Sequence, residues 1–478
     1  MLFNSISYAL FLPIVFFIYW QSGKKSLKLQ NLLLLASSYF FYACWDWRFL
    51  FLLIFSTALD YFTGIKMFEA KSQNQKKMWF WISICINLGF LGVFKYYNFF
   101  AESLAITLAT IGLQTNFWTL QVILPVGISF YTFHGLSYVI DIYKSRIEPE
   151  RNIIDYSLFV SYFPLLVAGP IERATHLLPQ IKKKRVFDYS NAVDGLRQIL
   201  WGLFKKIVIA DNCADYANSI FNHAGDKSGS ELLLGAVFFA FQIYGDFSGY
   251  SDIALGTSKL LGIELLKNFN FPYFSRDIAE FWRRWHISLS TWFRDYLYIP
   301  LGGSKVGMWI KVRNTFIIFL VSGFWHGANW TFIIWGSLHA LYIMPSIILG
   351  TNRNNLGIVA QGKIFPTIKE LWNVLFTFIL TVLAWIFFRA KTVSDALFYI
   401  KGILSKSLFL LPSDLPRTEI LLIAFFIFME WMGRENNYAL EKVGFKYPKI
   451  YRWAFYYFLI FCIIYFGGKE EQFIYFQF

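Results

Sequence analysis

Charge is scarce in this sequence. Asp, Glu, Lys and Arg make up 15% of its 478 residues, whereas a soluble globular domain carries about 25%. That deficit excludes an ordinary water-facing surface over most of the chain and points to lipid as the solvent. Cysteine is scarce as well. Cys44, Cys85, Cys213 and Cys462 are far apart, lie in or beside apolar runs and form no C-x-x-C pair. Neither a disulfide frame nor a metal site is indicated, so they are expected to be small buried side chains. Internal repeats, low-complexity segments and long soluble linkers are absent too, which argues against the repeat-built transporters and favours a single domain over 1–478.

What the sequence does hold is apolar. Hydrophobic residues reach 56% and aromatic residues 21%. A spanning helix needs about 20 mainly apolar residues, and many such runs occur between short basic loops. Candidate segments lie near 5–20, 29–47, 49–68, 78–98, 120–142, 156–170, 191–211, 231–250, 314–349, 369–388, 417–433 and 451–467. The expected fold class is therefore all-α, a polytopic integral membrane protein. The first run, Ile6 to Trp20, has no basic stretch before it and no small-residue cleavage site after it. It reads as a retained span, with all 478 residues in the mature protein.

The net charge of +14 comes from 44 basic and 30 acidic residues. These sit between apolar runs, where cytoplasmic loops collect Lys and Arg, so they report topology and lipid headgroups rather than nucleic acid. Lys24 to Lys28 and Lys71 to Lys77 are separated by two candidate spans and fall on one side, the cytoplasm. The N-terminus is then extracytoplasmic, in a multi-pass protein of the cytoplasmic membrane. Run 156–170 ends at Gly169-Pro170 with basic stretches on both flanks. It reads as re-entrant, a shape tolerated where backbone groups are buried in protein or line a cavity.

Two segments carry chemistry. In Phe281 to Tyr296, a helical period puts Trp285, His286, Leu289, Trp292, Phe293 and Tyr296 on one face, with Arg283, Ser290, Thr291 and Arg294 opposite. This predicts one amphipathic helix at the cytoplasmic surface, because eight basic and three acidic residues lie between Lys267 and Arg313. Arg283 and Arg294 suit lipid phosphates and equally the phosphates of an acyl donor such as a coenzyme A thioester. His286 is either a hydrogen-bonded structural histidine or part of the active site.

The second segment, Asn314 to Asn352, has 39 residues without Asp, Glu, Lys or Arg, yet contains His326, Asn329 and His339. As one helix from its basic edge, it places His326 about 18 Å in, near the middle of a hydrocarbon layer about 30 Å thick. Gly323 and Gly327 allow another helix or a ligand to come close. A neutral buried imidazole can accept the proton of an attacking hydroxyl, while Asn329 or Trp325 can offer a donor to the oxyanion. The alternative is a hydrogen-bonded core histidine in a helix packing site. His339, some 220° further around a continuous helix, faces a different neighbour.

These two segments, Phe281 to Gly303 (FWRRWHISLSTWFRDYLYIPLGG) and Gly323 to Gly327 (GFWHG), resemble the membrane-bound O-acyltransferase superfamily, in particular its bacterial alginate O-acetyltransferase branch. The likeness extends through Val167 to Ala174 (VAGPIERA), Gln242 to Gly256 (QIYGDFSGYSDIALG) and Phe473 to Phe478 (FIYFQF). It implies a helical bundle around a tunnel with re-entrant and interfacial helices, with the invariant histidine at His326 and the second motif histidine at His286. It also implies acetyl transfer from a cytoplasmic donor such as acetyl-coenzyme A towards hydroxyls of an exported polysaccharide. No bound cofactor or metal is expected. A periplasmic or extracellular acyltransferase and polysaccharide export machinery would be partners besides membrane lipids.

Asp246 then lines the tunnel, or belongs to a polar helix junction with Ser248, Tyr250 and Asp252. His134 lies in another family-like stretch and reads as structural. Tyr475 resembles the tyrosine of a companion peptide in teichoic acid D-alanylation, which makes it either an acyl carrier or an aromatic interfacial anchor. D-alanyl transfer is the nearer alternative function, and a polysaccharide transporter or scaffold component the more distant one.

Overall fold

The structure is a computed structural model and describes residues 1–23, 26–113, 125–167, 169–468 and 471–474. It is helical, with no β-strand among the described residues, and six of its helices are long and apolar enough to cross a membrane. The contacts divide into two compact units, Met1–Ala192 with Thr257–Leu266 and Val193–Gly256 with Lys267–Phe478.

The first unit begins with α1 (Ile6–Gly23), α2 (Leu27–Phe68) and α3 (Gln73–Leu91), which runs through a π turn at Gly92–Tyr96 into α4 (Tyr97–Thr110). Helix α2 is kinked at Asp46, whose φ of −156° and ψ of 111° lie outside the helical region. The kink falls where the sequence separates two spans, 29–47 and 49–68. Next come α5 (Ile128–Tyr143), α6 (Ile153–Ser161), α7 (Phe163–Leu166) and α8 (Ala174–Ile181). Segment 156–170 is thus a broken helix, interrupted at Tyr162, with α6 only about 14 Å long at 1.5 Å per residue.

Buried polar groups lock this unit. Asp60 accepts hydrogen bonds from Ser83 Oγ at 2.6 Å and Asn87 Nδ2 at 2.8 Å, tying α2 to α3. His134 Nε2 accepts the backbone N–H of Glu172 at 3.1 Å, the structural part expected of it. Glu172 is fully buried and accepts from His176 Nδ1 at 2.8 Å and from the Leu266 backbone at 2.6 Å.

The second unit holds α9 (Tyr189–Leu203), continued by a π segment at Phe204–Ala210 into α10 (Asp211–Asn222), and α11 (Gly229–Leu260). After these come α12 (Ile278–Arg284), α13 (Ile287–Phe293), α14 (Met308–His326), α15 (Trp330–Ile348) and α16 (Ile368–Arg389). Helices α17 (Val393–Ile403), α18 (Arg417–Gly433) and α19 (Lys449–Phe466) complete it. The outer faces are apolar: Trp372, Phe376 and Ile379 on α16 and Ile450, Phe461 and Ile464 on α19 are exposed, as lipid-facing side chains are in a spanning helix.

Two expectations are corrected here. The charge-free segment Asn314 to Asn352 is not one helix but a hairpin, broken at Gly327, Ala328 and Asn329. Asn329 N-caps α15, its Oδ1 accepting the Thr331 N–H at 3.0 Å, and such a cap starts a new helix rather than continuing an old one. Likewise Phe281 to Tyr296 is two helices, α12 and α13, separated by Trp285 and by His286 in the left-handed region at φ +43°. The chain breaks there because segment 268–270 pairs with it. Asn270 N–H donates to Arg284 O, and Ile287 N–H donates to Asn268 O, each at 2.9 Å.

The hairpin closes on glycines. A Cβ on Gly323 would lie 2.2 Å from Phe332 O, and one on Gly336 would lie 2.2 Å from Phe319 O. Both obstacles are backbone, so neither yields by a side-chain rotation. Gly336→Ala is therefore expected to part α14 from α15 and lower stability by about 1–3 kcal/mol, the cost of overpacking. A fall in the midpoint of thermal unfolding in detergent checks this; an unchanged midpoint contradicts the close crossing.

Candidate active site

The site is assembled from α11, segment 267–271, the α12–α13 junction and the α14–α15 hairpin. Helix α11 approaches α9 across glycines: a Cβ on Gly249 would lie 2.8 Å from Gly202 O, and one on Gly202 would lie 2.7 Å from Gly249 O. The π segment after α9 then aims two lysines at α11. Lys205 pairs with Asp252 at 2.6 Å, and the buried Lys206 pairs with Asp246 at 2.9 Å and Asp211 at 2.7 Å. Asp246 is thus the counter-ion of a buried ammonium. A wide π turn is rare and often marks a functional site, but no residue type in 204–210 signals it.

The same ion pair grips the end of the described chain. Asp246 Oδ2 accepts the Ile474 N–H at 2.7 Å, and Lys206 Nζ donates to Glu471 O at 3.1 Å. Phe473 and Ile474 are buried. The Phe473 ring lies 4.4 Å from Tyr250 and 6.2 Å from Phe247, and Phe247 stands edge-on to His286 at 4.7 Å. Tyr475 follows Ile474 and lies outside the described residues.

His286 is fully buried. Asn268 Oδ1 accepts from His286 Nδ1 and from Ser288 Oγ, both at 3.0 Å, while Asn268 Nδ2 donates to Ser251 Oγ at 3.2 Å. With Nδ1 donating, the lone pair sits on Nε2, a buried atom with no hydrogen-bond partner among the described residues. Burial pushes the imidazole down to about 3 from an ordinary 6.5. It is neutral at pH 7, with an acceptor nitrogen held in place. Asn268 orients the histidine and was missed from sequence, since an Asn within Lys267-Asn268-Phe269-Asn270-Phe271 carries no spacing signal.

His326 is the last residue of α14. Its ring packs against Trp325 at 4.9 Å, Trp335 at 5.0 Å and Phe388 at 5.4 Å. The His286 ring is 6.4 Å away, and Trp325 lies 6.0 Å from His286. His286, His326 and Trp325, more than 30 residues apart in sequence for the first pair, therefore meet. His339 lies on the far side of Trp335, 5.0 Å from that ring, and its Nδ1 accepts from Trp282 Nε1 at 3.2 Å. It shares Trp335 with His326 and takes its hydrogen bond from Trp282, across a hairpin and not around one helix.

The other expected residues have structural partners. Asn329, besides capping α15, donates from Nδ2 to Lys391 O at 3.0 Å. Arg283 donates to Asn352 O and Asn355 O at 2.8 Å each, and the exposed Arg294 pairs with Asp295 at 2.7 Å. Arg284 and Arg276 flank the buried Glu280.

The depressed His286 fixes a pH dependence. The folded state binds its proton more weakly than the unfolded chain, so the associated stability is complete above about pH 6.5 and is lost as pH falls towards 3. His286→Asn is expected to flatten the decline of the unfolding midpoint between pH 7 and pH 5. Parallel declines in wild type and variant contradict a neutral buried His286.

Comparison with known proteins agrees with this geometry. A model of the membrane-bound O-acyltransferase family matches residues 148–389, which include Asp246, His286 and His326. The probable alginate O-acetylase of Pseudomonas putida is 41% identical over 388 residues, covering 81% of this chain and 76% of that protein. The peptidoglycan O-acetyltransferase of Helicobacter pylori is 38% identical over 420 residues, covering 82% of this chain and 77% of its own. The teichoic acid D-alanyltransferase of Bacillus subtilis is 30% identical over 230 residues, with 45% of this chain and 57% of that protein aligned. An acyltransferase needs an acyl donor and a base for the acceptor hydroxyl, and the chain, a multi-pass membrane protein with two adjacent buried histidines, belongs to the membrane-bound O-acyltransferase family.

Proposed function

We propose that this acyltransferase moves an acetyl group from a cytoplasmic thioester, such as acetyl-coenzyme A, towards hydroxyls of an exported polysaccharide. The observation that carries the reading is the meeting of His286 and His326, at 6.4 Å between ring centres, inside a wall of aromatic rings. One imidazole takes the proton of the attacking hydroxyl as its oxygen bonds to the acyl carbon. The tetrahedral centre then collapses and expels the thiolate, which leaves with that proton. A positioned histidine contributes about 10²–10⁴-fold to such a step. Trp325, against both rings, is assigned to the substrate.

Acetyl is preferred to D-alanyl because the acetyltransferase relatives align over 81% and 82% of the chain, against 45% for the D-alanyltransferase. A glycan acceptor is supported by the names of those relatives, an alginate and a peptidoglycan acetyltransferase. The basic loops support a location in the cytoplasmic membrane with the N-terminus outside. A partner acyltransferase beyond the membrane completes delivery.

Tyr475 is the proposed relay. Its neighbour Ile474 is tied to Asp246 at 2.7 Å, and Phe473 reaches the Phe247 ring that touches His286. A tyrosyl ester on Tyr475 carries the acetyl group onward. Arg283 and Arg294 remain candidates for the donor phosphates, although Arg283 first has to release two loop carbonyls.

In cells, His326→Ala is expected to insert normally and to lose ester-linked acetate from the surface glycan, falling at least about 100-fold if the base is removed. Tyr475→Phe keeps an aromatic anchor but has no hydroxyl to acylate, and is expected to lose transfer equally. Alkaline release and quantification of acetate checks both. Undiminished acetate in His326→Ala contradicts the enzyme reading, and undiminished acetate in Tyr475→Phe contradicts the relay alone.

A further inference from the structure

Helices α11, α16 and α18 of the second unit leave a groove of about 610 Å³ between them. Val237 and Phe241 of α11, Leu375 and Phe378 of α16 and Ile423 and Ile427 of α18 form its sides. Leu375 and Ile427 are also exposed, so the groove opens to the surroundings of the spanning helices. It holds none of the residues assigned to the transfer reaction.

The polar side chains of the wall are all engaged. Tyr273 Oη donates to Ala240 O at 2.6 Å, and Tyr244 Oη donates to Glu430 Oε2 at 2.6 Å. Glu430 Oε1 accepts from Trp201 Nε1 at 3.1 Å, and Trp431 Nε1 donates to Ile364 O at 2.8 Å. A sugar, a nucleotide or a peptide therefore meets no side-chain donor or acceptor in the groove that is not already bonded. Water does not fill it either, because an apolar cavity stays dry. The occupant that suits it is a hydrocarbon chain.

Length and charge narrow the choice of chain. On α18 the groove runs from Ile420 to Trp431, about 16 Å at 1.5 Å per residue, or half of a hydrocarbon layer about 30 Å thick. That is the reach of a lipid tail in one leaflet. The Trp431 end also holds Pro366, which Lys363 precedes and Lys369 follows by three residues each. Both lysines are exposed. The carboxylates at this end are occupied: Glu370 caps α16 and pairs with Arg276 at 3.4 Å, while Glu435 accepts the Gly362 N–H at 2.7 Å. An indole beside lysines marks a membrane–water boundary, and the positive charge there favours an anionic head group.

The groove adjoins the ring stack that carries His286. Tyr273, in its wall, lies 5.8 Å from Phe241, 5.1 Å from Phe378 and 5.9 Å from Trp285, the residue before His286. We propose that the groove is a binding site for one anionic phospholipid, with an acyl chain along its apolar sides and the head group at Lys363 and Lys369. The bound chain packs against Tyr273 and braces the rings around Trp285. This binding does not depend on which group the enzyme transfers.

The test is native mass spectrometry of the full chain in detergent, stripped of lipid and titrated with phosphatidylglycerol or with phosphatidylcholine of the same dioleoyl chains. Wild type is expected to take one phosphatidylglycerol about 10-fold more tightly than phosphatidylcholine, as two lysines at a membrane surface dictate. K363Q/K369Q is expected to lose that preference. L375W/I427W, which puts indoles into the groove, is expected to weaken binding of both lipids about 10-fold or more, since the chain loses its burial. Glycerol 3-phosphate, a head group without chains, is expected not to compete, and phosphatidylglycerol is expected to raise the unfolding midpoint of wild type. Equal affinity of wild type for the two lipids, an unchanged preference in K363Q/K369Q, unchanged affinities in L375W/I427W or competition by glycerol 3-phosphate overturns the site. An unfolding midpoint that phosphatidylglycerol leaves unmoved overturns the bracing. The fold of L375W/I427W is checked by thermal melting; if it does not fold, the exposed pair K363Q/K369Q decides.

Discussion

A polar group buried in a membrane-spanning body has no water to turn to and must find its partner within the chain. That constraint organises the second unit. Lys205 pairs with Asp252, Lys206 pairs with both Asp246 and Asp211, and the surplus acceptor of Asp246 holds the Ile474 N–H. Asn268 answers His286, Ser288 and Ser251 at once. Removing one partner strands the others, and stranded buried polar groups cost about 1–3 kcal/mol each. The network thereby fixes both the crossing of α9 and α11 and the geometry of the histidine.

His286 shows how this constraint becomes chemistry. Its backbone sits at φ +43°, a region that costs a non-glycine residue of order 1–3 kcal/mol. Segment 268–270 pairs with both sides of the break and maintains it. What this gains is a buried neutral imidazole whose Nδ1 is tied and whose Nε2 is left to accept, beside a second imidazole from another element. His326 reaches the same place from the end of a helix, held by the glycine crossing of the α14–α15 hairpin.

The class of fold and the pair of histidines were legible in the sequence. A charge-poor, aromatic-rich chain with basic loops can only be a polytopic membrane protein, and His326 stood out because nothing charged surrounds it. The breaks were not legible. Phe281 to Tyr296 keeps a helical period across Trp285 and His286, so periodicity joins α12 to α13; only the tertiary pairing with 268–270 interrupts it. Asn314 to Asn352 is likewise free of charge throughout, so the cap that Asn329 forms on α15 carries no signal there. Lys205, Lys206 and Asn268 were invisible because their partners lie 17 or more residues away, except for Asp211. Arg283 and Arg294 were placed on a polar face correctly by type, yet their hydrogen bonds go to a loop and to Asp295.

In the proposed reaction His286 and His326 act as one unit on the acyl group. It is tested with purified protein in liposomes, by following the release of free coenzyme A from acetyl-coenzyme A in wild type, His286→Asn, His326→Ala and the double variant. If the two imidazoles serve one transition state, each single change lowers the rate by about 10²–10⁴-fold, and the double variant is no slower than the worse single one. Losses that multiply, or a wild-type rate in His286→Asn, contradict a shared site.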